Sequence, residues 1–176
     1  MRMTATEVFV GLGSNISPRR NLSAALPRLA ARFGDLRISP VYECQAVGFD
    51  GDPFLNLVIA FSTSEPLVAV LEYLRQVERD FGRRRGEARF AARSLDLDII
   101  LFGDRIGEEA GLQLPRPDIL RYAFVLKPLA DLAPDGLHPA CGRRYQELWE
   151  SLRPGPPLTA VTPLVEPHAQ PVRKED

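Results

Sequence analysis

The sequence predicts an α+β fold: an antiparallel sheet with helices packed on it and a helical extension at the C-terminal end. Two observations predict it. Four strand-like apolar segments and two segments with apolar residues at 3.6-residue spacing follow one another as strand, helix, strand, strand, helix, strand. The 176 residues, 45% hydrophobic and 26% charged, also fit one domain with a sizeable core.

Glu7 to Leu12 reads as a buried strand that runs into a turn at Gly13-Ser14-Asn15. Ser17-Pro18 offers an N-cap followed by proline at N1, and Leu22, Ala25, Leu26, Leu29 and Phe33 continue at helical spacing to Gly34. Pro27 inside that helix predicts a kink or a split start. Leu36 to Glu43 reads as a second strand, with Pro40 marking an edge or bulge. Gln45 to Pro53 is a loop by composition, and Phe54 to Ser62 a third strand with Leu55, Leu57, Ile59 and Phe61 on one face. Glu65-Pro66 opens a second helix whose stripe is Leu67, Val70, Leu71, Leu74, Val77 and Phe81, ending at Gly82. Arg83 to Ala92 is polar, basic and aperiodic, so it reads as a mobile loop. Ser94 to Phe102 is the fourth strand. The order βαββαβ is the ferredoxin-like arrangement.

Beyond Gly103 the sequence predicts a polar loop, then Leu114-Pro115-Arg116-Pro117, a helix around Ala123 to Leu132 and a short helix from Tyr145 to Leu152. Residues 1–153 are therefore expected to form the domain. Pro154 to Asp176 is Pro-rich without apolar period and is expected to be a loosely ordered tail.

A net charge of −1 argues against bulk nucleic-acid binding. The apolar runs fall far short of the ~18 residues of a membrane span, and Met1 to Glu7 carries no signal-peptide core. A cytoplasmic monomer acting on small molecules is expected. Cys44 and Cys141 lack metal-ligand spacing, and a disulfide is not expected in a reducing compartment. His138 and His168 have no partners that suggest a triad or a zinc site.

The chemistry concentrates in Arg93-Ser94-Leu95-Asp96-Leu97-Asp98-Ile99-Ile100-Leu101-Phe102. On a strand, Asp96 and Asp98 share one face, their Cα atoms about 6.5–7 Å apart. Leu95, Leu97, Ile99 and Leu101 take the other, while Ile100 and Phe102 continue the aspartate face. Paired carboxylates at the wet end of an apolar face suit hard divalent cations that bridge phosphates. Arg83, Arg84, Arg85, Arg89 and Arg93 lie beside them, in a chain with 20 arginines and only two lysines. Guanidinium forks grip phosphate oxygens, and a loop flanked by Gly82 and Gly86 could close over a polyphosphate. Asn56, an amide between leucines, needs a hydrogen-bonding ligand. With Phe54 and Phe124 it fits a flat heterocycle. Gly11-Leu12-Gly13-Ser14-Asn15 lacks the Gly-Lys-Ser/Thr end of a P-loop.

Together these segments resemble the 6-hydroxymethyl-7,8-dihydropterin pyrophosphokinase family of folate biosynthesis. The resemblance runs from about Val8 to Leu152. It rests on Arg93 to Gly103, on Gly13-Ser14-Asn15, Phe54-Leu55-Asn56 and Glu78 with Gly82-Arg83, and on Ala123-Phe124-Val125-Leu126 with Pro128-Leu129. It implies transfer of pyrophosphate from ATP, as co-substrate, to the pterin hydroxymethyl oxygen, giving AMP. Asp96 and Asp98 would hold two magnesium ions, and Arg83 and Arg93 would be catalytic. Glu78, Arg85, Arg89, Ile99, Arg116 and Arg121 would serve ATP. Cys44, Val47, Phe54, Asn56 and Phe124 would serve the pterin.

The sequence departs from the family pattern at the rim. Cys44-Gln45-Ala46-Val47-Gly48 replaces a Thr-x-Pro stretch, and Pro115-Arg116-Pro117 replaces Pro-His-Pro. Tyr122 stands where an arginine is usual, with Arg121 one place away. Phe90 replaces Trp, and Ala91-Ala92 replaces Gly-Pro. The alternatives are a paralogue with altered pterin or nucleotide preference, another two-metal nucleotidyltransferase, and a non-catalytic binding module on the same sheet.

Overall fold

The computed structural model describes residues 4–82, 92–152 and 157–164. Its sheet is antiparallel throughout. Strand β1 (Thr6–Ser14) is central, flanked by β4 (Phe54–Thr63) on one side and β5 (Asp96–Phe102) on the other. Beyond β4 lie β2 (Arg37–Ile38) and β3 (Val41–Cys44), and β3 in turn pairs with β8 (Thr159–Val161). Between β5 and β8 in the chain come a hairpin, β6 (Gly107–Glu109) and β7 (Leu112–Leu114), and then the helices of the extension.

Helices α1 (Pro18–Phe33) and α2 (Leu67–Asp80) bury their stripes on one face of the sheet, against Val8, Val10, Leu12, Leu57, Ile59, Leu97 and Ile99. Helices α3 (Ala123–Leu132) and α4 (Tyr145–Ser151) cover part of the opposite face, against Phe9, Val58, Ala60, Ile100 and Leu101. The ferredoxin-like order is thus borne out, and the C-terminal extension turns a two-layer fold into a partly covered third layer.

Several local expectations are revised. Ser17 precedes α1 but makes no side-chain cap, and its φ of 42° is left-handed. The chain reaches it from Asn15 and Ile16, whose N–H groups both donate to Arg93 O (3.0 and 3.3 Å), so the approach is dictated from across the fold. Pro27 does not split α1. It lies on the exposed side, where the carbonyl that loses its partner, that of Ser23, can turn to water. The expected second strand is two strands, broken at Ser39-Pro40. Ser39 repairs the ladder itself: its N–H donates to Val58 O, and its Oγ accepts from Val58 N–H, both at 2.9 Å.

The facing of β5 also changes midway. Phe9 pairs with Leu101 and Val10 with Ile99, so Ile100 is an extra residue on β5, a β-bulge. Before it the alternation holds. After it Leu101 joins the α3–α4 layer, and Phe102 joins the α1–α2 layer, the reverse of simple alternation. Within the stretch expected to be a loose tail, Thr159–Val161 forms the edge strand β8.

Candidate active site

The uncovered part of the sheet face is the site. Pairing places Asp96, Gly13, Asn56 and Tyr42 in one row across four strands, with Asp98, Gly11 and Val58 in the row behind. Paired residues share a face, so the two glycines of β1 leave a bare floor between the aspartates and Asn56. A Cβ on Gly13 would stand 3.0 Å from Asn56 Oδ1, and one on Gly11 would stand 3.7 Å from Ile100 Cγ2. Over this floor lies a cavity of about 410 Å³.

One end of the cavity is charged. Asp96 and Asp98 project from the start of β5, and Arg93, only 5% exposed, lines the wall beside them. Ser14 and Asn15 fix the backbone that carries Arg93. Ser14 Oγ donates to Ser94 O at 2.6 Å, and Asn15 Oδ1 accepts the Arg93 N–H at 2.7 Å. Arg116 enters from the segment after β7. Its N–H donates to Ile100 O at 2.9 Å, its Nε sits 3.2 Å from Asp118 Oδ2 and its Nη1 3.4 Å from Asp98 Oδ1. Burial disfavours the Arg116 charge, but Asp98 and Asp118 more than compensate and hold its pKa above the usual value. Among the described residues no three His, Cys, Asp or Glu side chains cluster as a ready metal cage. The two carboxylates suit a cation whose remaining ligands are phosphate oxygens and water.

The other end is aromatic. Phe54, Phe124 and Tyr122 line it, Tyr122 stacking on Phe124 with centroids 5.0 Å apart and planes 17° apart. Phe49, from the loop after β3, meets Phe54 edge-on at 6.4 Å. Asn56 Nδ2 donates to Cys44 Sγ at 3.1 Å. Burial, only partly opposed by that bond, pushes the Cys44 thiol up to about 11, so it is neutral at physiological pH. Tyr42, at the end of the Asn56 row, donates to Asp131 of α3 and so ties β3 to the helix that carries Phe124.

Cys44, Val47, Phe54, Asn56, Arg93, Asp96, Asp98, Arg116 and Phe124 therefore meet at one cavity. Glu78, Ile99 and Arg121 stand outside its wall. Glu78 is 6% exposed, and its Oε1 accepts the Leu97 N–H at 2.8 Å, gripping β5 between the two aspartates. The Ile99 side chain lies in the α1–α2 layer, so only its main chain is available to a ligand on the open face. Arg121 is exposed beside the extension. Arg83, Arg85 and Arg89, with the glycine-flanked loop, lie outside the described residues.

Sequence reasoning missed Gly11 and Gly13 as the floor, reading Gly13 as a turn or close-packing residue; the close approach of Asn56 to Gly13 agrees with the second reading. Glycines at alternate positions of an apolar strand were the available signal. It also missed Phe49, an aromatic in the loop from Gln45 to Pro53, and Asp118, which carried no signal of its own; the sequence marks Tyr122 only as standing where an arginine is usual, not as part of the aromatic end.

The model of the 7,8-dihydro-6-hydroxymethylpterin-pyrophosphokinase family matches residues 9–134. The chain belongs to this family. Its relatives include the 2-amino-4-hydroxy-6-hydroxymethyldihydropteridine pyrophosphokinase of Synechocystis, 37% identical over 158 residues, which are 88% of this chain and 78% of that one. The enzyme of the same name from Pseudomonas aeruginosa is 40% identical over 146 residues, 80% of this chain and 88% of that one. Among solved structures, a triple mutant of Plasmodium falciparum HPPK-DHPS with SDX-DHP superposes with a TM-score of 0.65 at 13% identity. That match covers 84% of this chain and 41% of the Plasmodium one, so this chain spans about two-fifths of that protein, and at this identity the likeness is one of fold. All nine of the expected site residues that meet at the cavity lie inside the stretch matched by the family, including the departures at Cys44 and Arg116.

Proposed function

We propose that the protein transfers pyrophosphate from ATP to 6-hydroxymethyl-7,8-dihydropterin, giving AMP and the pterin diphosphate in folate biosynthesis. One observation carries the reading: a single cavity has paired carboxylates and arginines at one end and a buried amide among aromatic rings at the other. Family membership supports it, as do relatives named pyrophosphokinases.

The flat ring lies over the Gly11 and Gly13 floor, with Phe54 and Phe124 against its faces and Asn56, Cys44 and Val47 reading its edge. Asn56 is 7% exposed, so a ligand hydrogen bond there replaces contacts that water cannot supply. This holds the hydroxymethyl oxygen toward the charged end, where it attacks the β-phosphorus of ATP. The bond from that phosphorus to the oxygen shared with the α-phosphate breaks, AMP leaves, and the hydroxyl proton passes to water. Arg93 takes up charge on the transferred group, its guanidinium held against the wall by the Ser14 and Asn15 contacts to its backbone. Arg83 acts with Arg93 as a catalytic arginine on the transferred phosphates, Arg85, Arg89, Arg116 and Arg121 serve ATP, and Ile99 meets the adenine through its main chain. Glu78 acts on the nucleotide side by fixing β5.

Asp96 and Asp98 would hold two magnesium ions, which would neutralise phosphate charge. The two carboxylates fit that assignment because they share one face of β5 beside the cavity and are hard oxygen donors. The protein acts as a cytoplasmic monomer on these small molecules, without nucleic acid or membrane. None of the helices among the described residues is long and apolar enough to cross a bilayer.

The test is product analysis. Protein, ATP, magnesium and hydroxymethyldihydropterin are expected to yield AMP and pterin diphosphate in equal amounts. Formation of ADP instead, or no nucleotide turnover, refutes the reading.

A further inference from the structure

Arg116 stands at a position where the resemblance leads one to expect histidine, and its geometry gives it a task a histidine ring could not perform. Its main chain is fastened to β5 by the N–H bond to Ile100 O, two residues from Asp98 on the same strand. The guanidinium then spans two carboxylates, with Nε toward Asp118 at 3.2 Å and Nη1 toward Asp98 at 3.4 Å. A planar fork with several donors addresses both through separate nitrogens, and its charge is permanent, which a neutral imidazole's is not. The two contacts differ in character. The Asp118 side chain is 19% exposed and the Asp98 side chain 35% exposed, so Asp98 is the partner open to the cavity.

We propose that Arg116 is a resident counter-ion for Asp98, occupying the cation-facing carboxylate in the nucleotide-free protein and yielding it when the metal–nucleotide complex arrives. The divalent cation therefore enters with the nucleotide rather than ahead of it. The inference rests on the reading of Asp98 as a cation ligand. Release is inexpensive because Arg116 keeps Asp118 when it leaves Asp98, and the incoming phosphates offer its fork a new anion at the same end of the cavity. The exchange swaps one cation for another on Asp98, so the carboxylate is never left bare beside Asp96. The device also separates this chain from a site with a neutral imidazole at the same place, where free cation would meet both aspartates unopposed by that side chain.

The experiment is a titration of Mn²⁺ into the nucleotide-free protein, followed by electron paramagnetic resonance and repeated with α,β-methylene-ATP present. Arg116→Gln is expected to bind Mn²⁺ about tenfold tighter than wild type without nucleotide, the size expected for removing a half-buried charge at this range. The gain in Mn²⁺ affinity that the analogue produces is expected to shrink by the same factor, since coupling between the two ligands is reciprocal. Arg105→Gln, which removes the same charge from the hairpin region, is expected to change neither quantity. Adding Asp98→Asn to Arg116→Gln is expected to abolish the gain.

Unchanged or weaker nucleotide-free Mn²⁺ binding by Arg116→Gln overturns the proposal, as does a gain that survives Asp98→Asn. Should circular dichroism show that Arg116→Gln does not fold, Arg116→Met takes its place. It keeps an unbranched stem and removes the charge, so tighter Mn²⁺ binding than wild type is again expected, and equal or weaker binding overturns the idea. Formation of AMP by the wild-type protein reports separately on the pyrophosphokinase reading, so the two can fail independently.

Discussion

Replacing Asn15 by alanine isolates a single amide that serves both ends of the cavity. Asn15 is 4% exposed; its Oδ1 accepts the Arg93 N–H at 2.7 Å and its Nδ2 donates to Asp52 O, in the loop that carries Val47 and Phe49, at 3.1 Å. Alanine leaves the Arg93 N–H buried without an acceptor, a cost of about 1–3 kcal/mol, and the lost bond to Asp52 adds about 0.5–1.5 kcal/mol. The sum is about 2–4 kcal/mol, which for a chain of this size lowers Tm by roughly 5–15 °C. Asn15→Asp keeps the acceptor for Arg93 but loses the donor to Asp52 and buries a carboxylate that faces the Asp52 carbonyl, so its stability loss is also about 2–4 kcal/mol. Urea and thermal unfolding measure the stability series, and AMP formation measures the kinetics. The alanine variant is expected to lose about 10- to 100-fold in kcat through misplacement of Arg93. The aspartate variant is expected to keep most of kcat while KM for the pterin rises. An alanine variant melting within about 2 °C of wild type, with kcat intact, refutes the reasoning.

Three further outcomes follow from the same structure. Gly13→Ala sets a Cβ 3.0 Å from Asn56 Oδ1, so KM for the pterin is expected to rise about tenfold while thermal stability changes little, as read by steady-state kinetics and melting. His138 is 3% exposed, its Nδ1 finds no hydrogen-bond partner among the described residues, and burial lowers its pKa. The unfolded chain therefore binds the proton more readily, so stability from this group is full above about pH 6.5 and falls as the pH drops. Urea midpoints from pH 7.5 to 5 should show this slope, and His138→Gln should flatten it. Deleting residues 159–176 removes β8 from β3 and the contact of Val161 with the main core, and is expected to cost about 1–2 kcal/mol and to promote self-association in light scattering.

How much could be read from the sequence depended on whether a residue's neighbours carried phase. Leu71, Leu74 and Val77 fix one face of α2 because Glu72, Arg75 and Gln76 stand between them, and the helical spacing back to Val70 and Leu67 then continues the face; all five are buried as expected. The bulge at Ile100 was illegible because β5 is apolar on both sides after Asp98, so a shift of register leaves no mark in the pattern. The β6–β7 hairpin was missed for the opposite reason. It is short and polar, and its turn is Ala110-Gly111, with φ of 53° and 77°, where asparagine or aspartate would have announced a two-residue loop. At the site, residues of unusual type for their surroundings, such as Asp96, Asp98 and Asn56, were legible. Gly11 and Gly13 contribute by lacking atoms, and Ser14 and Asn15 act on Arg93 through contacts across the fold. Neither leaves a local pattern.

The bare floor of β1 has a consequence for selection under inhibition. On the proposed placement of the pterin, a compound that competes by lying flat on Gly11 and Gly13 touches surface that cannot be altered by adding a side chain without also obstructing the substrate ring, since the space a Cβ would take at Gly13 borders Asn56. Escape by mutation is thereby steered away from the sheet and onto the rim. There Gln45, Val47 and Phe49 sit on a loop and can change size without entering the sheet. An inhibitor confined to the floor faces few viable escape routes, whereas one that reaches for the loop hands the population a choice.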